Sequence, residues 1–586
     1  MTLALRDTAL DAAIPMPAEP VIFDSLFGWY GPGLSRRGVV LCGTLGYEQI
    51  SAYRGWRQLA ADLTAAGHPT LRFDYPGEGD SANPEAPGIE GLVAAIRRAV
   101  RFLREEAGVE EIVLVGLRFG ATLAALAAEE DDIDRLVLLA PFASGRAYLR
   151  EMTMRMKAID QLPDGRPVPQ DPSSPVFGGF RPPATLLAAL SRVDLAKVPL
   201  APVPKVLLLG ADPAGLASRL GAAGSDVTTG PFPGLAPFLS NALISEPPRE
   251  VFDRVLAFAG EGALGPAGAP APRRLPSAAP LATPVWTESV LRFAGNVGVV
   301  CTPSAPAPGM PALLFINSGV NPRSGFGRQT TDLARTLAGM GVTSLRMDLR
   351  GVGDGLDRAD GTPPLYALDA VEEIIAAIDR LDRGDGVVVA GNCSGAFLGF
   401  HVVCRDPRVR AGILVNLYCF DWDPKTDLEA ALRPSFRSPA SYASLLRQPD
   451  AWRRVLRGEV RVGAILRRLA AVAAGRLRGT ALKLLRPFPS AKSVAGRVAA
   501  IRKRGARLVL VFSQGESGLG EVATHLGGSP QALGRRLGHP LVLLPETDHN
   551  LSTMGAQDRL REILSTVLTT TAAETPTYRS AAARVR

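Results

Sequence analysis

Cysteine and histidine are both scarce in this chain, which has five of each in 586 residues. No two cysteines form a Cys-x-x-Cys pair, and none clusters with histidines at the spacing of a metal site. These absences argue against a disulfide framework and against structural zinc, so we expect no metal, no cofactor and a reducing cytoplasm. The five cysteines are Cys42, Cys301, Cys393, Cys404 and Cys419.

Long apolar segments are also missing. No run of about eighteen uncharged apolar residues occurs, so no transmembrane helix is predicted. The first twenty residues contain Arg6, Asp7, Asp11 and Glu19 and lack the apolar core of a signal peptide. We therefore interpret residues 1–20 as a loose leader.

Acidic residues are nearly absent from one segment. Between Arg453 and Arg504, fifteen Lys and Arg residues face a single acid, Glu459, although the whole chain has a net charge of only +8. The basic character is therefore confined to this segment. Few aromatic residues are interleaved with its arginines, which argues against nucleic acid as a partner.

Short apolar runs are abundant, and they alternate along the chain with segments that have helical periodicity. Continuous apolar strands between helices predict a parallel sheet covered on both faces. The runs lie at 38–42, 111–115, 136–139 and 206–209, and again at 312–316, 387–390, 507–512 and 541–544.

The two halves of the chain repeat one another. Thr70–Asp80 matches Ser344–Asp354, within the segment Thr343–Asp354, at an offset of 274 residues, and similar glycine-flanked turns are centred on residues 118 and 393. A duplicated domain explains this self-similarity. We place the copies at 21–260 and 286–570, with a Pro/Ala/Gly linker at 261–285 and a flexible tail at 571–586.

Each copy has the order strand, helix, strand, sharp turn and helix, which is the order of the α/β-hydrolase fold. The competing doubly wound nucleotide-binding fold requires Gly-x-Gly-x-x-Gly after the first strand, and neither copy has it. The Gly-x-Gly-Asp sequences at 77–80 and 351–354 are interpreted as tight turns rather than phosphate loops. We therefore predict an α/β protein with two tandem α/β-hydrolase domains, each a mostly parallel sheet covered by helices.

The second copy contains a candidate nucleophile. Its strand at 387–390 runs into Gly391-Asn392-Cys393-Ser394-Gly395, the Gly-x-nucleophile-x-Gly turn of a nucleophile elbow with cysteine in place of serine. Gly391 and Gly395 are expected because the strained turn leaves no room for a Cβ atom. Taken alone the motif is weak, since a small buried cysteine after a strand is common.

Residues further along complete an ordered set. Glu516 is the first acid after the strand at 507–512, and His549 follows the last strand, so nucleophile, acid and histidine occur in the α/β-hydrolase order. We assign His549 as the base for Cys393 and Glu516 as the acid that orients the imidazole. Asp548 is an alternative orienting acid, and a surface Asp-His pair is the alternative without function.

Two backbone positions are expected to stabilise an oxyanion. The amide of Ser394 is one donor, and an amide around Gly319 and Val320 is the other. The remaining histidines of this copy, His401, His525 and His539, have no assigned role.

The first copy lacks this set. Its elbow holds Arg118, which cannot act as a nucleophile, and no histidine follows in the domain through Gly260. Asp212 keeps the acid position. Arg118 either binds an anionic group at the old site or pairs with Asp212 or another buried acid, and the copy is predicted to be catalytically inactive.

The first copy resembles α/β-hydrolases of the serine-aminopeptidase-like type, including those associated with the exosortase A system. The resemblance is carried by Leu71–Ser81, Gly116–Ala124 and Ser144–Glu151. Some members of that group also have arginine at the elbow.

The second copy resembles related hydrolases with Gly-x-Cys-Ser-Gly-Ala at the elbow, here Gly391–Ala396, together with Asp406–Val409 and Trp452–Val460. Such proteins are associated with polysaccharide and natural-product pathways, which implies acyl or ester chemistry. Aspartate is more usual in that family at the position of Glu516.

The basic segment falls where α/β-hydrolases insert a lid, at about 420–504, and its pattern is helical. Basic amphipathic helices are typical of membrane-surface or anionic-partner sites, and a solvated basic face is the alternative. The candidate partners are an anionic lipid surface, an acyl carrier protein and a phosphate-bearing acyl donor. Peripheral association with a membrane is therefore an option for a cytoplasmic protein.

The leading hypothesis is an enzyme in which Cys393 attacks a carbonyl of an ester or thioester, so that an acyl-cysteine forms and is resolved by water or another acceptor. Thioester hydrolysis and acyl transfer suit a thiolate, which is both a good nucleophile and a good leaving group. The alternatives are a non-catalytic binding or scaffold protein and a lyase or cyclase that works without a covalent step.

Overall fold

The computed structural model describes residues 18–84, 88–129, 132–172, 175–262, 275, 279–423, 426, 490–539 and 541–574. Within these ranges the chain forms two domains, each built on one twisted sheet. The linker range 263–274, most of the predicted lid and the tail beyond Glu574 lie outside the described residues.

The first domain alternates strands and helices. Its strands are β1 Glu19–Phe23, β2 Leu26–Gly31, β3 Arg37–Cys42, β4 Thr70–Phe73, β5 Glu111–Leu117, β6 Arg135–Leu139, β7 Lys205–Leu209 and β8 Asp226–Gly230. Its helices are α1 Tyr47–Ala65, α2 Ile89–Phe102, α3 Phe119–Ala127, α4 Gly145–Met156, α5 Ala184–Arg192, α6 Leu216–Ala222, α7 Leu235–Phe238 and α8 Arg249–Gly260. A π-helical turn (Leu103–Ala107) and 3-10 turns (Pro213–Gly215, Ala242–Ile244) complete it.

The second domain repeats the plan. Its strands are β9 Leu281–Ala282, β10 Trp286–Phe293, β11 Asn296–Pro303, β12 Ala312–Ile316, β13 Ser344–Asp348, β14 Val387–Asn392, β15 Val409–Val415, β16 Arg507–Ser513 and β17 Val542–Leu544. Its described helices are α9 Gln329–Ala338, α10 Ala370–Leu381, α11 Ser394–Arg405, α12 Val494–Lys503, α13 Gly518–Leu526, α14 Pro530–Leu537 and α15 Met554–Ala573, with a 3-10 turn at Phe326–Arg328.

The two sheets have matching strand orders. The first is β1-β2-β4-β3-β5-β6-β7-β8 and the second is β9-β10-β11-β13-β12-β14-β15-β16-β17. From β4 to β8 and from β13 to β17 all neighbouring strands are parallel, and an antiparallel hairpin extends the outer edge of each sheet. The predicted mostly parallel sheets are therefore confirmed.

Burial on both faces explains why the central strands are continuously apolar. In β5, Ile112 and Leu114 pack into one apolar cluster, while Val113 and Val115 pack into another on the opposite face of the sheet. Alternate side chains of a strand point to opposite faces, so a strand covered by helices on both sides needs apolar residues at every position.

The observed elements extend or move some predicted boundaries. β1 begins at Glu19, inside the stretch interpreted as a leader, β9 lies inside the predicted linker, and α15 continues past residue 570. Of the predicted basic lid, the last part forms α12, whose apolar side chains pack into the core of the second domain. The rest of the lid prediction concerns residues outside the described ranges.

The domains meet across a buried ionic network with approximate two-fold character. Arg72 of the first copy pairs with Asp354 of the second, and Arg346, the counterpart of Arg72, donates to Asp80, the counterpart of Asp354, at 2.8 Å. Arg323 lies between them and contacts both Asp80 and Asp354, at 2.8 and 2.7 Å. These carboxylates belong to the Gly-x-Gly-Asp turns, which the structure therefore shows to be parts of an interdomain contact.

Candidate active site

The turn after β14 has the backbone strain expected of a nucleophile elbow. Cys393 has φ 54° and ψ −115°, in the left-handed region that non-glycine residues rarely occupy. Its neighbours cannot carry side chains, because a Cβ on Gly391 would lie 2.5 Å from the carbonyl of Gly395, and a Cβ on Gly395 would lie 2.5 Å from the carbonyl oxygen of Asn317. The sequence β14–turn–α11 thus holds the Cys393 thiol at the carboxyl edge of the sheet.

The three residues assigned from the sequence come together at that edge. The His549 Nδ1 and Glu516 Oε1 atoms are 3.0 Å apart, and Cys393 lines the same cavity, near enough to the imidazole for each group to shift the pKa of the other. Glu516 is almost fully buried and follows β16, while His549 follows β17. The order predicted along the chain therefore corresponds to a chain of contacts in space.

Asp548 does not replace Glu516 as the partner of the imidazole. Its carboxylate accepts hydrogen bonds from the amide and the hydroxyl of Ser552, both at 2.7 Å, and so holds the turn before α15. The backbone carbonyl of His549 accepts from the side-chain amides of Asn416 at 2.8 Å and Asn392 at 3.2 Å. These two asparagines fix the histidine loop over the elbow.

The electrostatics favour a thiolate–imidazolium pair. Burial alone would raise the pKa of Cys393. The charge of a protonated His549, together with polar contacts from His549, Tyr366 and the Ser394 amide, lowers that pKa below its ordinary value. Burial opposes a charge on His549 as well, yet the Glu516 carboxylate and the Cys393 thiolate raise the pKa of His549 well above its ordinary value. A lowered thiol pKa is the condition for a reactive cysteine.

Tyr366 is a contact that the sequence did not reveal. Its hydroxyl lies 3.6 Å from Cys393 Sγ, and its ring stacks on Trp422 with ring centroids 4.6 Å apart. Burial and the neighbouring thiol raise the pKa of Tyr366 well above its ordinary value, so the phenol stays protonated and is able to donate to the sulfur. Nothing in the local pattern around residue 366 marks it, because the contact depends on the tertiary fold.

The predicted oxyanion residues lie around the thiol with one difference in detail. The Ser394 amide points at Cys393, and Gly319 and Val320 line the same cavity. The Gly319 amide, however, donates to the Ser394 hydroxyl at 2.8 Å. A role for Gly319 in binding an oxyanion therefore requires the Ser394 hydroxyl to release this amide.

The three histidines without an assigned role lie elsewhere. His401 contacts the carbonyl of Phe420 at 3.0 Å, His525 pairs with Glu521 at 3.1 Å, and His539 is not among the residues lining the cavity. Across the described ranges, no group of three or more His, Cys, Asp or Glu side chains is placed to hold a metal ion. In the same ranges, every helix is too short or too polar to cross a bilayer.

Family comparisons agree with this architecture. Residues 39–171 match a model described as the alpha/beta hydrolase fold, and residues 313–563 match one described as the alpha/beta hydrolase family. The chain is a tandem α/β-hydrolase-fold protein. Both matches support a hydrolase.

Solved structures similar to this tandem hydrolase each cover about half of it. They include Est1E from Butyrivibrio proteoclasticus with ferulic acid bound, at 17% identity over 42% of this chain and 98% of that chain, with a TM-score of 0.30. A proline iminopeptidase from Mycobacterium smegmatis has 16% identity over 49% of this chain and 99% of that chain, with a TM-score of 0.33. Among curated proteins, no sequence matched.

The first hydrolase domain keeps the elbow but fills its site with a salt-bridge cluster. Arg118 has φ 56° and ψ −120°, close to the angles of Cys393. Its guanidinium bonds to the buried Glu48 at 3.2 Å and to Glu151, and it lies over the ring of Phe142. Of the alternatives for Arg118, the structure thus shows pairing with a buried acid.

The acid at the old triad position is not that partner. Asp212 is exposed after β7 and caps the following turn through a 3.0 Å bond from the Ala217 amide. Glu48 is instead shared by Arg118 and Arg155, the latter at 2.6 Å. Because Nε and Nη2 of Arg118 already bond to carboxylates, an added anion would have to compete with them.

The cavity around Cys393 in this tandem hydrolase is built by both domains. It has a volume of about 580 Å³ and contains Cys393, Glu516 and His549. Residues 158–165, after α4, and residues 241–244, before α8, reach it from the first domain. Volumes of about 300–1,000 Å³ are usual for small-molecule sites.

Proposed function

We propose that the protein is a cysteine-dependent hydrolase or acyltransferase acting on an ester or thioester, with Cys393, His549 and Glu516 as its catalytic residues. The observation that carries this proposal is the 3.0 Å contact between Glu516 and His549 in the cavity that also contains Cys393, which sits at a strained elbow. A nucleophile, a base and an orienting acid in this geometry are the requirements for covalent acyl chemistry.

In the proposed first step, the Cys393 thiolate attacks the carbonyl carbon and forms a tetrahedral intermediate. The Ser394 amide donates to its oxyanion, with a second amide from the Gly319–Val320 turn. The intermediate collapses as the alkoxide or thiolate departs, and the His549 imidazolium protonates this leaving group. The product is an acyl-cysteine.

In the second step, neutral His549 takes a proton from water or from an acceptor alcohol or amine. That nucleophile attacks the thioester carbonyl, and Cys393 leaves as a thiolate, so that the acid or the transferred acyl product forms and the resting ion pair returns. Tyr366 supports both steps by donating to the sulfur when it is charged.

Intact-mass spectrometry tests the covalent step. Incubation of the full chain with a panel of acyl thioesters should add one acyl mass to the wild type and none to Cys393→Ala. Cys404→Ala is the matched control, because Cys404 lies outside the cavity and burial raises the pKa of its thiol to about 11. Equal adducts on the wild type and on Cys393→Ala would refute the assignment.

A further inference from the structure

The first domain has no triad, yet it contributes half of the surroundings of Cys393. Its twelve residues that line the catalytic cavity include not one charged side chain. The charged residues lining this cavity are the catalytic Glu516 and His549 and the turn-capping Asp548. The wall that the first domain supplies to the cavity is therefore uncharged and largely apolar.

The apolar side chains of this wall come from two separate segments. Ile159 and Leu162 belong to the loop that follows α4, and Leu243 belongs to the 3-10 turn before α8. Leu243 also packs against the apolar core of the second domain, alongside Val320. Leu162 is buried and Ile159 and Leu243 are half-buried, so these three side chains belong partly to the packed interface.

Several contacts hold this wall in position. Pro163 approaches the loop of the catalytic acid so closely that a Cβ on Gly515 would lie 3.5 Å from its Cβ. The Phe326 ring packs on the backbone of Gly179 and meets Tyr47 edge-to-face, with ring centroids 6.2 Å apart. The buried ionic network described above fixes the same interface. A wall anchored in this way offers a preformed surface, which lowers the entropy cost of binding.

We infer that the first domain functions as the acyl-binding wall of the second domain's active site, with Ile159, Leu162 and Leu243 contacting an uncharged, apolar acyl chain. This inference rests on the proposed function in taking Cys393 as the reacting atom. An apolar chain gains free energy for each methylene it buries, so the wall favours longer acyl groups over acetyl until the cavity is filled. Charged or phosphate-bearing parts of a substrate remain outside this wall.

Alkylation of Cys393 tests the wall without requiring turnover. Iodoacetamide and N-octyl iodoacetamide deliver the same reacting group, in which the thiolate displaces iodide, and differ only in the apolar chain. The readout is the ratio of their rates of labelling at the Cys393 peptide in the full chain. A faster octyl reaction in the wild type is expected, because its chain is buried against the wall.

Two substitutions at one position should lower this ratio to different extents. Leu243→Trp fills the space and should lower the ratio by about tenfold, which corresponds to excluding two methylenes from burial. Leu243→Ala removes part of the apolar surface but leaves the space open, so it should lower the ratio by less than Leu243→Trp does. Met154→Trp is the matched control, since Met154 is exposed on α4 away from the cavity.

If Leu243→Trp does not fold, Ile159→Trp provides the same narrowing from the other segment. The inference would be refuted by an unchanged ratio of labelling rates in the tryptophan variant. It would also be refuted if the ratio fell equally in Leu243→Trp and Leu243→Ala. These results are independent of the acyl-adduct experiment, so a protein that forms no acyl-cysteine can still show a chain-length effect. The two inferences therefore fail separately.

Discussion

Removing the charge of Glu516 should destabilise the imidazolium form of its partner, His549. Glu516→Gln keeps the size of the side chain and an oxygen that accepts from His549 Nδ1, but it removes the carboxylate charge from a buried 3.0 Å contact. A hydrogen bond to a charged group contributes about 1.5–3 kcal/mol, and one pKa unit corresponds to about 1.36 kcal/mol. The pKa of His549 should therefore fall by roughly one to two units in this variant.

The sign of the effect on the thiol follows from the ion pair. In the wild type, the imidazolium lowers the pKa of Cys393, so the thiolate persists below the ordinary range and disappears as pH falls through the lowered pKa. In Glu516→Gln, a smaller fraction of His549 is protonated at a given pH, so the imidazolium stabilises the thiolate less. The pH at which the thiolate is lost on the acidic side should therefore be higher than in the wild type. At a fixed mildly acidic pH the thiolate population should fall about tenfold to a hundredfold, and the two proteins should converge at alkaline pH.

The measurement is the rate of iodoacetamide labelling of the Cys393 peptide from pH 5 to about pH 9, the range in which a cysteine thiol of lowered pKa titrates. Glu521→Gln is the matched control, because it removes the charge from another Glu–His contact, with His525 at 3.1 Å, in a partly exposed position. Its labelling profile should superimpose on that of the wild type. A Glu516→Gln profile that also superimposes would refute the assignment of Glu516 as the residue that sets the charge of the pair.

Three further predictions concern the elbow, the domain interface and the basic segment. Gly395→Ala should destabilise the protein by about 1–3 kcal/mol and abolish the labelling of Cys393 at mildly acidic pH, because its Cβ would lie 2.5 Å from the Asn317 carbonyl. Gly520→Ala is the control, because Gly520 occupies an open helical position where alanine should leave the melting temperature unchanged or raise it. Asp80→Asn should cost about 3–5 kcal/mol in thermal or urea unfolding by leaving buried arginine charge uncompensated, while Asp62→Asn at a surface pair should cost less than about 1 kcal/mol. If the segment 420–504 docks on membranes, flotation with liposomes should rise with anionic lipid and fall with salt, and salt-independent absence of binding would contradict this.

Local pattern was sufficient for much of the fold. Continuous apolar runs predicted β5, β12 and β16, because strands covered on both faces need apolar residues throughout. The outer hairpin strands β1 and β10 escaped prediction because their side chains are only partly buried. Their partners β2 and β11 are buried, but glycines interrupt their apolar runs. The repeat itself was visible in the chain because each copy uses the same turn glycines at matching positions.

Some residues of the candidate site were also predictable from the sequence, and others were not. Cys393, Glu516 and His549 were accessible to sequence reasoning because each follows a strand end in a characteristic order, and that order places all three at one edge of a parallel sheet. Tyr366, Asn416 and the actual partners of Arg118 were not accessible. Their contacts join residues that are distant along the chain, and no local periodicity encodes such distances.

The sequence by itself determined a duplicated α/β-hydrolase architecture and showed which copy has a cysteine, an acid and a histidine in the α/β-hydrolase order, since glycine-flanked turns and residue chemistry are local properties. Only the tertiary structure showed that the other copy lines the cavity around Cys393. The docking of the two domains depends on buried ion pairs between residues more than 260 positions apart, such as Asp80 and Arg346. That docking brings Ile159, Leu162 and Leu243 to the cavity around Cys393, a proximity that exists only after both domains have folded and packed together.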